Sequence, residues 1–236
     1  MWYHPAHLTM TNDVMSFVAH ESLAEKIAAH LSDRIIKGEL VSGERIQEAR
    51  VVEELQVSRG SVREALLLLE SRHLVTILPR RGAMVAELTA DRVNSLYDVY
   101  ESLLTLLATQ VALQWTEENK MPLLNQAMLL QVPDLREDKF RFMQAGFDLM
   151  RAACDVIDNP YLSTLLSDLQ PAIQRTYALS IRFSQDGLDR SVAFFAKVVQ
   201  LILARKTDDL IPVFRDFSQY QRSLVLRAMD ESKASS

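Results

Sequence analysis

Four arginines in two short stretches are the side chains of this sequence best suited to bind an anion. Arg59 and Arg63 begin a helix-like run, and Arg80 and Arg81 lie in a later Pro-Arg-Arg-Gly turn. A guanidinium group can form paired hydrogen bonds with a phosphate or with the edge of a guanine base. Residues 56–86 hold five arginines against two glutamates, a local net charge of +3. This pattern is typical of a small nucleic-acid contact surface.

Three short helices and a hairpin are the elements that would position these arginines. Apolar residues at helical or alternating spacing predict helices over residues 21–38, 47–55 and 59–72 and strands over 74–78 and 83–88. Ser58 is the predicted N-cap of the third helix, and the short turn before it gives helix-turn-helix spacing. The Pro-Arg-Arg-Gly turn joins the two strands. Together these elements predict a winged helix-turn-helix.

The start of the third helix is the predicted DNA-reading element, because a recognition helix contacts base edges with its N-terminal residues. The free N–H groups of a helix start also favour an anion, and the missing side chain of Gly60 lets the backbone approach the groove. The wing arginines would contact the flanking backbone or the minor groove. The predicted DNA-binding residues are Arg50, Ser58, Arg59, Gly60, Ser61, Arg63, Arg80, Arg81 and Gly82.

The composition of the chain is that of a globular protein without an internal disulfide bond or a membrane-spanning helix. The 236 residues are 48% hydrophobic and 24% charged, which is typical of a globular chain, and the net charge of −5 shows that the basic patch is local. A single cysteine, Cys154, excludes an internal disulfide and favours a reducing, cytoplasmic location. No run approaches the ~20 apolar residues of a membrane helix, and the first residues lack a signal-peptide pattern. We expect no membrane association.

Beyond residue 88 the sequence pattern predicts helices only, and Thr89 is the predicted N-cap of the first of them. Breaks are predicted at Val132-Pro133, Asn159-Pro160 and Gln170-Pro171. The predicted fold is mainly α, with an N-terminal winged helix-turn-helix and a C-terminal all-α bundle. The predicted domains are a disordered N-terminus (1–18), the winged helix-turn-helix (19–88), a helical effector-binding or dimerisation domain (89–230) and a disordered tail (231–236).

The segment VSRGSVREALLLLE, with Leu74-Val75 and the Arg80-Arg81-Gly82 wing, resembles the GntR family of bacterial transcription regulators. The resemblance covers about residues 20–88 and implies binding to double-stranded DNA as a homodimer. Gly60 and Ser61 replace the threonine and proline usual in the family. Position 49, where some relatives carry a DNA-contacting arginine, is alanine here, with Arg50 next to it.

The helical part is similar to the ligand-binding domain of the FadR subgroup, with Asn-Pro-Tyr-Leu at residues 159–162. Many members bind a divalent metal there through an aspartate and three histidines. The histidines of this chain are His4, His7, His20, His30 and His73. The resemblance therefore implies a variant that lacks the metal ligands, with Gly146 at the position of the aspartate, or Phe147-Asp148 there if the alignment slips by half a turn, and neither alignment supplies a histidine. We expect no metal and no other cofactor. Ser102 and Leu106 stand where the subgroup often has an arginine and a glutamate, which disfavours a small anionic ligand.

Long apolar stretches of the helical domain could line a cavity for a hydrophobic, acyl-type ligand, an option that the metal-free branch of the subgroup supports. The competing interpretation is that they form only the seams of a helical bundle, and the sequence favours this interpretation. A ligand cavity should have a few converging polar groups. The candidate ligand-binding residues are Tyr97, Tyr100, Arg141, Gln144, Arg175, Tyr177 and Arg182.

The sequence thus favours a dimeric transcription regulator on a palindromic operator, controlled by a small molecule. The alternative is an effector-free DNA-binding module whose helical domain only dimerises. Motifs for nucleotide binding, metalloprotease chemistry or a catalytic triad are missing, so we expect that the protein is not an enzyme.

Overall fold

The computed structural model describes residues 22–183 and 187–234, with side chains over 22–181 and 188–231. Within these ranges the chain forms nine α-helices, one short 3₁₀ turn and one antiparallel hairpin. The mainly α architecture predicted from the sequence is confirmed. The predicted disordered N-terminus, residues 1–18, lies outside the described residues.

The N-terminal domain has the predicted order of elements, which are α1 (Leu23–Ile36), α2 (Glu48–Leu55), α3 (Arg59–Ser71), β1 (Val75–Leu78) and β2 (Gly82–Val85). A capping box begins α1, because the Ser22 hydroxyl accepts from the Glu25 amide while the Glu25 carboxylate accepts from the Ser22 amide. The core of the domain lies between α1, α3 and the hairpin, and its fully buried side chains include Leu31, Ile35, Val62, Leu66, Leu69, Leu74 and Val85.

The hairpin pairs Val75 with Val85 and Leu78 with Gly82, so each strand is shorter than the predicted one. A third short segment joins it, since Arg45 forms an isolated antiparallel bridge with Met84. The Ile46 amide donates to the Ala83 carbonyl oxygen at 2.9 Å in the same place. The loop between α1 and α2 is thereby fixed against the wing.

The helical domain comprises α4 (Ala90–Gln114), α5 (Lys120–Leu129), a 3₁₀ turn (Pro133–Arg136), α6 (Lys139–Cys154), α7 (Pro160–Phe183), α8 (Gly187–Leu203) and α9 (Thr207–Ala234). Thr89 caps α4 as predicted, accepting from the Arg92 amide at 3.2 Å. Helix α9 packs against α4, α7 and α8, and one large apolar core connects the helices.

Two predicted features of the helical domain are wrong. Pro171 does not end a helix but lies inside α7, where the buried Ala172 and Ile173 hold the next turn on the bundle although a proline costs a backbone hydrogen bond. Helix α9 continues to Ala234, four residues into the predicted tail 231–236. Packing of the preceding Ala228 and Met229 stabilises these last turns.

No helix among the described residues combines the length and the apolar character that a membrane span requires.

Candidate nucleic-acid interface and helical-domain cavity

Ser58 fixes the start of α3. Its backbone is extended, and its hydroxyl accepts from the Ser61 amide at 3.0 Å and lies 2.9 Å from the Ser61 hydroxyl. The Ser58 hydroxyl therefore caps the helix, and the Ser61 hydroxyl lies against it. The amides of Arg59 and Gly60 precede the first intrahelical bond, so they stay available to an anion approaching the helix end.

The two arginines of α3 differ in their surroundings. Arg63 donates from Nε to Oε2 of Glu48 at 3.0 Å, so a carboxylate of α2 orients its side chain, which stays 69% exposed. Arg59 is exposed and makes no ion pair with any residue that the structure describes. Arg63 is thus pre-positioned, whereas Arg59 is free to reach an external acceptor.

Gly60 is not required by the protein's own packing. A Cβ at this position would meet only the Ser58 hydroxyl, at 3.6 Å. Glycine is a poor helix former, so its presence in the first turn lowers helix stability. The space beside Gly60 faces outward, where a second molecule can approach the backbone.

The wing turn carries two exposed arginines on an unusual backbone. Arg80 has a φ of 64° and Gly82 a φ of 80°, and the Arg81 amide donates to the Leu78 carbonyl oxygen at 3.2 Å. A left-handed conformation costs a non-glycine residue roughly 1–2 kcal/mol. The tight turn therefore projects Arg80 and Arg81 at the tip of the hairpin, and neither makes an ion pair with a described residue.

Arg45 is a further cation at the wing that the sequence analysis missed. The bridge to Met84 brings it to the hairpin, and its guanidinium lies next to Gly82, where an added Cβ would be 3.9 Å from Nη2. Arg45 is exposed. No local pattern marks it, because its place depends on pairing between residues about forty apart in the sequence. Arg50, on α2, is exposed as well.

The helical domain has a partly open cavity of about 150 Å³ between α4, α6, α7, α8 and α9. Its wall is largely apolar and rich in aromatic rings, namely Phe142, Phe147, Phe194, Phe195, Phe214 and Phe217. A smaller space of about 30 Å³ adjoins it and shares Tyr100, Tyr177 and Gln221. The lining fits an apolar ligand better than a charged one.

The polar groups of the cavity wall are mostly engaged with the protein itself. The Tyr100 hydroxyl donates to Sδ of Met150 at 3.2 Å, Lys139 donates to the Ile181 carbonyl oxygen at 3.4 Å, and Gln221 donates to the Ser191 hydroxyl at 3.4 Å. The Tyr177 hydroxyl makes no hydrogen bond within the described part of the chain. Burial raises the pKa of Tyr100 and of Tyr177, so both phenols are neutral at physiological pH.

Only some of the seven candidate ligand residues line the cavity. Tyr100 and Tyr177 line the cavity, and Tyr97 lines only the smaller space, where its hydroxyl bonds that of Thr176 at 3.0 Å. Arg141 and Gln144 are wrong as cavity residues. They lie on the exposed face of α6, while Phe142, Gly146 and Phe147 face the cavity.

Arg175 is also wrong as a cavity residue, and its actual partner lies in the other domain. The buried guanidinium donates from Nη1 to the Ala86 carbonyl oxygen at 2.6 Å. Burial lowers the pKa of Arg175 to about 10, which keeps it charged at physiological pH. The side chain of Arg182 lies outside the described residues.

The residues present do not fit the divalent metal of the subgroup. At position 146 an aromatic ring takes the space that a carboxylate side chain would need, because a Cβ on Gly146 would lie 2.8 Å from Cζ of Phe195. No group of three or more histidine, cysteine, aspartate or glutamate side chains comes together among the described residues. Position 146 therefore serves close packing of α6 against α8.

Each domain of the chain matches a family model of its own. Residues 23–85 match the model for bacterial regulatory proteins of the gntR family, and residues 95–211 match the FCD domain. The gluconate operon transcriptional repressor of Bacillus subtilis is 29% identical over 174 residues, covering 70% of this chain and 68% of that protein. The HTH-type transcriptional regulator YdhC of Bacillus subtilis is 31% identical over 98 residues, 42% of this chain and 43% of YdhC.

Solved structures share the fold over most of the chain. A GntR transcriptional regulator from Rhodococcus sp. RHA1 superposes with a TM-score of 0.67 at 20% identity, covering 87% of this chain and 98% of that one. The E. coli protein McbR/YncC also gives 0.67, at 15% identity and with the same coverage. At these identities the likeness establishes the fold alone.

Proposed function

Because the chain belongs to the GntR family of bacterial regulatory proteins, as a DNA-binding transcription regulator with an FCD effector-binding domain, we propose that it binds a pseudo-palindromic operator as a homodimer. Each subunit would place the N-terminus of α3 in the major groove and the wing on the flanking backbone. Homologues and domains indicate a regulator and not an enzyme. We further assign the chain to the FadR subgroup, as a variant without the metal ligands.

The observation that carries the DNA-binding mode is the unpaired state of its arginines. Arg59, Arg80 and Arg81 are exposed and have no carboxylate partner among the described residues, in a chain whose net charge is −5. Cations left unpaired at a helix N-terminus and at a wing tip fit phosphate contacts, since binding releases counterions from the duplex.

Binding to a mixed-sequence duplex, followed by fluorescence anisotropy at several salt concentrations, tests this mode. We expect Arg59→Ala with Arg63→Ala to weaken binding and to lower the salt slope by about one unit for each phosphate that an arginine no longer neutralises. Arg72→Ala, at the far end of α3, is the control and should bind like the unmodified protein. Equal binding by the double variant would refute the site assignment.

For the effector we propose a largely apolar, acyl-type molecule in the cavity of the helical domain. The apolar wall and the neutral tyrosines support this class. A sugar acid, which the name of the gluconate operon repressor suggests, would need many hydrogen-bonding partners that are already engaged here. The Tyr177 hydroxyl is the polar group best placed to hold one end of the ligand.

Three consecutive residues of helix α7 connect the cavity to the DNA-binding domain. Tyr177 lines the cavity, Thr176 bonds Tyr97 on α4, and Arg175 holds the Ala86 carbonyl oxygen beside the wing. A ligand that moves Tyr177 would therefore shift the residue that anchors the two domains. For regulation, the ligand must bind one arrangement of the DNA-binding domains more tightly than the other.

Native mass spectrometry of the purified protein tests the effector class. A lipid-sized adduct that leaves on denaturation, or saturable binding of a fatty acid that Tyr177→Phe weakens, is the expected result. If neither appears across a series of chain lengths, the alternative of an effector-free, dimerising domain replaces this proposal. The DNA-binding assignment would stand in either case.

A further inference from the structure

The smaller space beside the cavity is lined by a buried hydroxyl without a partner. Ser218, on α9, is 8% exposed, and its Oγ makes no hydrogen bond with any described residue. A serine inside a helix usually bonds a carbonyl oxygen of the preceding turn, as Ser223 of the same helix does with the Tyr220 carbonyl oxygen at 2.7 Å. An unpaired buried hydroxyl lowers stability. The Ser218 hydroxyl is therefore available to a group that enters the smaller space.

A second hydroxyl of the same space is unpaired as well. Tyr177, on α7, lines both the cavity and the smaller space, and its hydroxyl makes no hydrogen bond within the described part of the chain. The neighbouring polar groups are engaged, since Tyr97 bonds Thr176 and the side-chain amide of Gln221 donates to Ser191. Two hydroxyls from two helices thus remain for a ligand, and each can donate or accept a hydrogen bond.

The smaller space has the size of an end group. Its volume is about 30 Å³, against about 150 Å³ for the cavity. A water-sized group occupies roughly 10–15 Å³ on this scale, so the smaller space has room for about two such groups. The two spaces adjoin through shared wall residues, namely Tyr100, Leu104, Tyr177, Phe214, Phe217 and Gln221. A ligand whose apolar part fills the cavity can therefore place its end in the smaller space.

The charges around the smaller space disfavour an anion. Glu101, on α4, lines it and forms no ion pair with a described residue. None of the described residues that line the smaller space is a lysine or an arginine. Arg222, one turn beyond Ser218 on α9, is paired with Asp98 of α4. A ligand carboxylate would therefore meet a like charge, with no wall cation to compensate, in a poorly solvated place.

We propose that the smaller space is the subsite for the polar end of the effector and that it selects a neutral hydroxyl. Ser218 and Tyr177 hold this hydroxyl, and Glu101 excludes a carboxylate. The effector is then an apolar chain or ring that ends in an alcohol, with an apolar part that starts at about the size of a benzene ring. This inference rests on the proposed effector cavity and names the chemistry of the ligand's end.

Titration calorimetry of the full chain at pH 7 tests the selectivity, with 1-octanol and octanoate as probes of equal chain length. We expect 1-octanol to bind at least tenfold more tightly than octanoate. Equal or tighter binding of octanoate overturns the neutral subsite but leaves the apolar cavity as the effector site. If neither probe binds, and longer alcohols and acids also fail, both the subsite and the proposed effector class are wrong.

The variant Ser218→Ala separates a role in binding from a role in folding. It should weaken 1-octanol binding about fivefold to tenfold. It should also raise the thermal midpoint of the free protein, because it removes an unpaired buried hydroxyl. Ser223→Ala, an exposed position of the same helix, is the control and should bind 1-octanol like the unmodified protein. Unchanged binding by Ser218→Ala would mean that only water occupies the smaller space, and a lower midpoint would show that its hydroxyl is paired in the fold.

The variant Glu101→Gln tests the exclusion of a carboxylate. Removing this charge should tighten octanoate binding, so that the difference between the two probes falls to less than about threefold, since specificity here depends on repulsion of the wrong ligand. Glu118→Gln removes one negative charge at an exposed position away from the cavity and should leave the difference as it is. An unchanged difference in Glu101→Gln contradicts the role assigned to this carboxylate.

Discussion

The guanidinium of Arg175 on α7 donates to the backbone carbonyl oxygen of Ala86 at 2.6 Å, which joins the helical domain to the end of the wing. The contact is buried and connects residues 89 apart in the sequence. It lies just before Thr176 and Tyr177, which contact α4 and the cavity. One turn of α7 therefore touches the three parts that an effector would have to couple.

Removing the Arg175 side-chain hydrogen bond should loosen the segment between the wing and α4. Arg175→Met keeps most of the apolar length but removes a hydrogen bond from a charged group, which contributes about 1.5–3 kcal/mol. We expect faster amide hydrogen exchange at residues 86–89. Arg151→Met, on the exposed side of α6, should leave exchange in that segment unchanged. Identical protection in both variants would show that Arg175 does not hold the domains together.

Gly146 and Gly60 should respond in opposite ways to alanine. A Cβ at 146 would lie 2.8 Å from Phe195, so Gly146→Ala must displace an aromatic ring and should destabilise the fold by about 1–3 kcal/mol. Gly60→Ala makes only an ordinary contact, with the Ser58 hydroxyl at 3.6 Å, and should stabilise by about 0.5–1 kcal/mol through helix propensity. Urea unfolding midpoints measure both changes. A neutral Gly146→Ala would mean that Phe195 moves freely into the cavity.

Arg80 should weaken the fold while contributing to DNA binding. Arg80→Gly relieves a left-handed residue at φ 64°, and the gain in stability should be up to about 1 kcal/mol. Arg81→Gly removes the same charge without that relief, since Arg81 is not among the residues with positive φ. Both variants should lose duplex affinity to a similar extent, but only Arg80→Gly should raise the thermal midpoint. Equal thermal midpoints would contradict the strain assigned to Arg80.

Alkaline pH should destabilise the helical domain through its buried phenols. Burial raises the pKa of Tyr97, Tyr100 and Tyr177, so the folded chain binds these protons more tightly than the unfolded chain does. Their contribution to stability is complete below the unfolded pKa of about 10 and is lost as the pH rises above it. Absorbance at 295 nm should show these tyrosines ionising together with unfolding.

The variant Tyr177→Phe supplies the control for this titration. It should remove one tyrosine from the late, unfolding-linked step and leave the earlier part of the curve unchanged. If all six tyrosines ionise before the fold is lost, water reaches the cavity wall, and its phenols are not buried in an apolar surface.

The sequence predicted the features that depend on local contacts. Ser58 and Thr89 cap their helices as expected, because capping involves residues three positions apart. The bridge of Arg45 to Met84 and the bond of Arg175 to Ala86 were missed, since each depends on how distant segments pack. The sequence also did not reveal that Arg141 faces outward from α6, because apolar residues are spread widely around this helix.

Selecting duplexes from a random-sequence pool with this chain shows whether two α3 helices read a two-fold operator. We expect an enriched inverted repeat whose half-sites lie about one helical turn or less apart. We also expect Arg59→Ala to relax the base preference within the half-site and to leave the spacing unchanged. Enrichment of a single unrepeated site, or of no sequence at all, would contradict it.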